Sequence, residues 1–276
     1  MAFRYIGGKH FQAPWISSFI PKTPIYSEVF GGAFWVYLKG NINANRVIYN
    51  DYNKMMYNIF TCMKDYKSLL AIVGSMKEKD KETFEVCKKK ILDNKDMNFE
   101  VPNIEIASSY LYLLTHTFSG IINEKNIKMQ EKKAGRNLTA FINKMKSAKI
   151  QRKLGIIETE NLSYEDFIPK YDSKDMFMYV DPPYWSSENY YSFHEFGLKD
   201  HQKLADVLKS CKAKWLLSYY DFPELIEMYP KDQFHYEKKL YTKKASVMKG
   251  QKRNMGEEIL IMNYVPKNET YDLFFK

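Results

Sequence analysis

Asp181-Pro182-Pro183-Tyr184 stands directly after the continuous apolar run Met176-Phe-Met-Tyr-Val180. A run of that kind reads as a strand buried on both faces. Two successive prolines withhold two backbone N–H donors and fix φ, so the chain must leave the sheet there as a rigid loop. A carboxylate, free carbonyls and an aromatic ring then converge beyond the carboxyl end of a strand, where open α/β sheets bind ligands. That set suits an amino group conjugated to an aromatic ring. Such a nitrogen is a poor nucleophile because its lone pair is delocalised. Asp181 and the Pro182 carbonyl, pulling on its two hydrogens, would favour a pyramidal nitrogen, and Tyr184 could stack on the ring for ~1–3 kcal/mol. A strand-ending turn is the plainer alternative.

A second group lies near the start of the chain. Ile25-Tyr-Ser-Glu-Val-Phe30 is a short β-prone run followed by Gly31-Gly32. Asp51 follows Gly31 by 20 residues and ends the next strand, Arg46-Val-Ile-Tyr49. An acid in that place accepts hydrogen bonds from ribose hydroxyls. Few basic residues surround the turn, so a phosphate-free adenosine ligand fits better than NAD or ATP. Glu28 and Asp51 could also be plain strand-end acids. At the N-terminus, Phe3-Arg-Tyr-Ile-Gly-Gly-Lys9 suggests a tight turn holding Lys9 against a carboxylate, and a disordered or capping N-terminal arm fits the same residues equally well.

These residues need a scaffold. Strand, glycine turn, helix, strand, acid is the first unit of a doubly wound α/β sheet. From about 54 to 153 helical patterning replaces it; Ile106, Tyr110, Leu113, Leu114 and Thr117 fall on one stripe. Strand signals return at Met176–Val180, Lys214–Ser218 and Ile259–Tyr264, with a helix over His201–Leu208. The 276 residues suit one large domain, or one domain with a sizeable insertion.

Composition narrows the function classes. With 45% hydrophobic and 27% charged residues the chain is globular. No apolar run approaches the ~18 residues of a membrane span, and the N-terminus lacks a signal-peptide core. Cys62, Cys87 and Cys211 form neither a disulfide framework nor a CxxC site, which predicts a reducing, cytoplasmic setting. His194 and His201 lack partners at ligand spacing, so no metal is expected, and His116 reads as structural. The net charge of +9 is concentrated. Residues 121–153 carry ten basic and two acidic side chains, and residues 238–253 carry seven basic and none acidic. Two basic segments on a body that is otherwise net acidic suit a polyanion, although solvated helix faces look the same in sequence.

Taken in order, these motifs resemble the Dam-type DNA adenine methyltransferases that use S-adenosyl-L-methionine. Tyr5-Ile-Gly-Gly-Lys9 resembles their N-terminal cofactor motif. Glu28-Val-Phe-Gly-Gly-Ala33 resembles the Glu-Pro-Phe-x-Gly-x-Gly loop, and Asn50-Asp-Tyr-Asn53 the Asp-x-Asn motif. Asp181-Pro-Pro-Tyr184 is their tetrapeptide. Leu198-Lys-Asp-His-Gln202, Trp215-Leu-Leu-Ser218 and Glu257-Glu-Ile-Leu-Ile-Met-Asn-Tyr264 resemble later elements. The likeness covers nearly the whole chain.

The resemblance implies a Rossmann-like methyltransferase sheet, formed by 1–53 and 154–276, with a helical target-recognition domain at 54–153. It implies methyl transfer to the exocyclic amino group of a flipped adenine in double-stranded DNA. Asp181, Pro182, Pro183 and Tyr184 would hold the base. Tyr5, Lys9, Gly31, Asp51 and Asp181 would meet the cofactor, with Glu28 and Phe30 lining its pocket. Arg136, Lys144 and Lys146 on the recognition side, and Lys243, Lys244, Lys252 and Arg253 after the catalytic strand, would contact DNA. The expected chain is a monomer or weak dimer, with a cognate restriction endonuclease as a candidate partner. Two departures stand out. Phe118-Ser-Gly-Ile-Ile-Asn123 lacks the Asn and Arg of the GATC readers, so that site is not implied, and Ala33-Phe34 ends the glycine loop one glycine short. Three rivals share features with this reading: a cytosine amino-methyltransferase, an RNA or protein-amide methyltransferase, and an inactive DNA-binding protein.

Overall fold

The computed structural model describes residues 8–117, 120, 122, 127–130, 137–185, 196–242 and 255–266. The strands are β1 (Ile25–Glu28), β2 (Arg46–Asn50), β3 (Ile157–Glu160), β4 (Met176–Val180), β5 (Lys214–Tyr219), β6 (His235–Thr242) and β7 (Met255–Met262). They form one sheet in the order β3-β2-β1-β4-β5-β7-β6. The first five run parallel. β7 runs antiparallel between β5 and β6. This is a Rossmann-like α/β sheet. The chain winds from β1 outward to β2 and β3, then returns to the other side of β1 with β4. The carboxyl ends of β1 and β4 therefore flank the topological switch point, where such sheets bind ligands.

Alternation along the strands divides the core. On β4, Phe177 and Tyr179 face one layer, while Met176, Met178 and Val180 face the other. The second layer is closed by α9 (Tyr164–Tyr171), α10 (Leu198–Ser210) and α11 (Leu225–Met228). The first is closed by α1 (Ala13–Ser18), α2 (Trp35–Lys39) and the helices between β2 and β3. Those are α3 (Lys54–Cys62), α4 (Tyr66–Ser75), α5 (Lys81–Asp93), α6 (Ile104–His116), α7 (Asn137–Met145) and α8 (Ala148–Leu154). Phe60, Phe84, Leu111 and Phe141 continue the apolar layer that begins at Tyr26 and Tyr49 on the sheet. The helical insertion thus shares a core with the strands that carry the site.

Three elements differ from the sequence reading. Helix α6 is not striped: its residues from Ile106 to His116 are all buried, because α3, α4, α5 and α7 surround it. Its buried His116 accepts from the Lys79 N–H at 3.3 Å through Nε2 and lies 2.8 Å from the Tyr112 carbonyl through Nδ1. Strands β3 and β6 carry little apolar signal, Ile157-Glu-Thr-Glu160 and His235-Tyr-Glu-Lys-Lys-Leu-Tyr-Thr242. They are the two edges of the sheet, where charged side chains guard unpaired backbone groups. Among the described residues no helix is long and apolar enough to cross a membrane. No cluster of His, Cys, Asp or Glu there is arranged to hold a metal ion.

Candidate active site

Strand β4 ends at Val180, and the next residue delivers a carboxylate to the switch point. Lys9 Nζ donates to Asp181 Oδ1 at 2.8 Å and lies 3.5 Å from Glu258 Oε1. Tyr184 folds back so that its hydroxyl donates to Glu258 at 2.5 Å, and the Lys9 ammonium sits 4.4 Å from the centre of its ring. One cation is therefore shared by two acids. They differ in access: the Asp181 side chain is 16% exposed and that of Glu258 1%. Burial raises the pKa of each above the ordinary carboxylate value, and Lys9 partly offsets the rise. Burial, then the two acids beside it, drives the Tyr184 hydroxyl far above its usual range, so it stays a donor. Tyr179 and Ser218 are hydrogen-bonded at 3.0 Å beneath the cluster, and Tyr220 meets the Tyr184 ring edge-on at 4.3 Å. Pro182 is buried and Pro183 half-buried between Asp181 and Tyr184.

The glycine turn after β1 forms the other side. The Gly31 N–H donates to the Asn50 carbonyl at 2.7 Å. A Cβ at Gly31 would lie 2.3 Å from a Tyr49 ring carbon and 2.8 Å from that carbonyl, so only glycine fits. Asn50 fixes the turn from below, donating to the Val29 and Leu162 carbonyls and accepting from the Leu162 N–H. Asp51 follows, accepting from the Gly32 N–H at 2.7 Å and the Asn53 N–H at 2.8 Å. Burial pushes it up to about 6 against these donors. Glu28 accepts from the Tyr37 N–H at 2.7 Å and the Tyr26 hydroxyl at 3.1 Å, and burial pushes it up to about 8. Phe30 stacks on Tyr164 and meets Phe196 edge-on, each with centroids 5.8 Å apart.

The missing glycine of the loop has a structural answer. Gly32 adopts φ 46° and Phe34 φ 56°, both left-handed. A non-glycine residue pays roughly 1–2 kcal/mol there. Phe34 offsets this by burying its ring completely against Tyr37, Tyr49 and Phe60. Helix α2 begins at Trp35, with Phe34 as its left-handed N-cap residue.

The candidate DNA contacts divide. Lys146 is exposed. The Lys144 ammonium lies 4.8 Å from the centre of the Trp35 ring, and burial followed by the nearby Lys39 lowers its pKa. Tyr5, Arg136, Lys243, Lys244, Lys252 and Arg253 lie outside the described residues, as do Ser119 and Asn123. Of the second basic segment, Lys238 is already paired with Glu257 at 2.9 Å, and Lys239 lies over Trp15. Glu258 escaped the sequence reading as a site residue. Its signal was the acid pair Glu257-Glu258 entering an apolar strand, one of the two on the inward phase. Because β7 is antiparallel, its first residues sit at the end where β4 and β5 finish.

Loop residues 28–34 carry no cation. Acids aimed at this crevice suit hydroxyl donors and a cationic centre, not phosphates. Among solved structures, the chain is similar to a precorrin 8W decarboxylase of Methanobacterium thermoautotrophicum, at 9% identity and a TM-score of 0.34, over 88% of this chain and 83% of that one. A likeness so loose adds nothing to the fold described above. Comparison with curated proteins finds no match. The family model for the D12 class N6 adenine-specific DNA methyltransferases matches residues 5–243, from the segment that carries Lys9 through the glycine turn and Asp181-Pro-Pro-Tyr184 to β6, and the chain belongs to that family.

Proposed function

We propose that the enzyme transfers a methyl group from S-adenosyl-L-methionine to the exocyclic amino group of an adenine flipped out of double-stranded DNA into the crevice between β1 and β4. The observation that carries this reading is the Asp181–Lys9–Glu258–Tyr184 cluster at the carboxyl end of β4, beside a glycine turn closed by Asp51. Bound S-adenosyl-L-methionine would supply an electrophilic methyl group on a cationic sulfur. The crevice fits it: Asp51 can receive the ribose hydroxyls, and Glu28 and Phe30 stand behind the turn. Lys9 keeps Asp181 in place. Asp181 then accepts from the adenine amino group and orients its lone pair toward the methyl carbon. Proximity and alignment supply most of the remaining acceleration.

Flipping costs a few kcal/mol, which phosphate contacts help to offset. Residues 54–153 are assigned as the recognition domain, with Arg136, Lys144 and Lys146 on that side and Lys243, Lys244, Lys252 and Arg253 on the other. About six such contacts would lower DNA affinity roughly a thousandfold between 50 and 200 mM salt. A titration of duplex binding against salt checks this, and a flat response would remove the two-sided clamp.

Asp51 gives a pH signature. Ribose hydroxyls donate, so binding favours the ionised carboxylate. Its folded value is about 6. Cofactor affinity is therefore expected to rise about tenfold per pH unit below 6 and to level off above it. In Asp51→Asn the dependence disappears and affinity drops by roughly ten- to a hundredfold, as for lost hydrogen bonds to a charged group. Calorimetric binding across pH 5–8 (about three units) reads both effects.

The substrate class is tested by offering equal amounts of duplex DNA and RNA with methyl-labelled cofactor. Label is expected in the DNA; label confined to RNA would overturn the reading.

A further inference from the structure

Helix α2 follows the glycine turn directly and is too short to hold itself. It has five residues, whereas isolated helices shorter than ~12 residues are marginal in water. The turn in front of it carries two left-handed residues, Gly32 and Phe34. Backbone strain of that kind persists only where the surroundings over-determine it.

Two side chains from other elements grip one residue of this helix from opposite ends. Glu28, at the end of β1, accepts from the Tyr37 N–H at 2.7 Å. Lys153 Nζ, from α8 of the insertion, donates to the Tyr37 carbonyl at 2.5 Å and to the Gly40 carbonyl at 3.0 Å. Tyr37 lies in the last turn of α2 and Gly40 is its C-cap. Carbonyls there lack helical partners and favour a cation. The contact runs both ways: the Tyr37 hydroxyl donates to the Lys153 carbonyl at 3.2 Å, and the ammonium lies 4.8 Å from the centre of the Tyr37 ring. Lys153 closes the first basic segment, yet it is half-buried, whereas its neighbour Arg152 is exposed. Burial, followed by Lys149, brings its pKa down to about 8, with Glu28 opposing the fall.

We infer that Lys153 is a positioning residue for the cofactor turn: from the helical insertion it holds Tyr37 and Gly40, and so fixes α2 and the residues 31–34 in front of it. This rests on the function proposed above, which places S-adenosyl-L-methionine against that turn. The basic segment therefore does two jobs. Its exposed side chains are available to a polyanion, and its last lysine ties the insertion to a turn more than a hundred positions earlier in the chain.

Lys153→Met tests this, since it keeps an unbranched stem and removes the charge and the donors. Cofactor affinity measured by calorimetry is expected to fall roughly tenfold, as for lost hydrogen bonds to a charged group. The KM for cofactor should rise by a similar factor while kcat at saturating cofactor stays within about twofold. Duplex binding is expected to keep its salt slope, because this ammonium is turned inward. A slope shallower by about one would make Lys153 a phosphate contact, and an unchanged cofactor affinity beside a lowered melting temperature would leave it a purely structural role. Either result would overturn the inference.

A second readout uses the wild-type protein. When S-adenosyl-L-methionine binds, hydrogen exchange is expected to slow at the amides of α2 and of α8 together. Slowing confined to the glycine turn and α2 would overturn the inference even if Lys153→Met failed to fold. A wild-type protein that binds no S-adenosyl-L-methionine would instead sink the functional proposal, and this inference with it.

Discussion

Asp181→Ala is expected to abolish measurable methyl transfer, and Asp181→Asn to slow it by roughly 10²–10⁴-fold, the usual worth of a positioned proton acceptor. The carboxylate is the accessible acid of its pair and sits where β4 stops. Asparagine keeps one acceptor oxygen and the shape of the loop, but it cannot take the proton. Neither change should unfold the chain. Lys9 retains Glu258 at 3.5 Å, and the two prolines still turn the backbone. Single-turnover methylation together with thermal melting separates the effects. A variant that folds and keeps wild-type turnover would remove Asp181 from the chemistry.

Lys9→Met is expected to be the most damaging single change to stability. It takes the shared cation from a cluster in which Glu258 is almost wholly buried. Breaking a buried ion pair from one side costs about 3–5 kcal/mol. The loss should depend on pH in a defined direction. Asp181 and Glu258 already have folded pKa values above their unfolded ones, and losing the ammonium raises them further. Groups shifted this way favour the folded state most below the unfolded carboxylate range and lose that contribution as pH climbs through the folded values. Lys9→Met should therefore approach wild-type stability near pH ~4 and fall progressively behind it toward neutrality. Adding Glu258→Gln should recover part of the deficit, because one uncompensated charge is gone. Urea melts at several pH values check this. A deficit that is constant with pH would point to lost packing over the Tyr184 ring instead of lost charge compensation.

Much of the candidate site was legible in the chain because the constraints that shape it are local. A proline pair can only end a strand, and a glycine before a strand-end acid can only turn closely. Those constraints mark Asp181, Gly31 and Asp51 as candidate site residues in the sequence itself. A lysine held against a carboxylate was one of two readings of the N-terminal glycines, and the acid it meets lies 172 positions further along the chain. Glu258 was not legible as a site residue. Its role follows from the reversed direction of β7, which brings the start of that strand to the ends of its parallel neighbours, and no local pattern encodes strand direction. The edge strands β3 and β6 were hidden for the opposite reason: their exposure leaves them without the apolar alternation that gives interior strands away. Phe34 shows a third limit. The sequence records a missing glycine, but only the packing of its ring against Tyr37, Tyr49 and Phe60 explains how a left-handed backbone survives there.

The most direct test of the account is base-resolved mapping of methylation on unmodified plasmid DNA after incubation with the enzyme and S-adenosyl-L-methionine, with Asp181→Asn run in parallel. The account predicts N6-methyladenine at a short recurring sequence with the wild type and its near absence with the variant. Methyl groups on cytosine, or adenine methylation undiminished in Asp181→Asn, would contradict it.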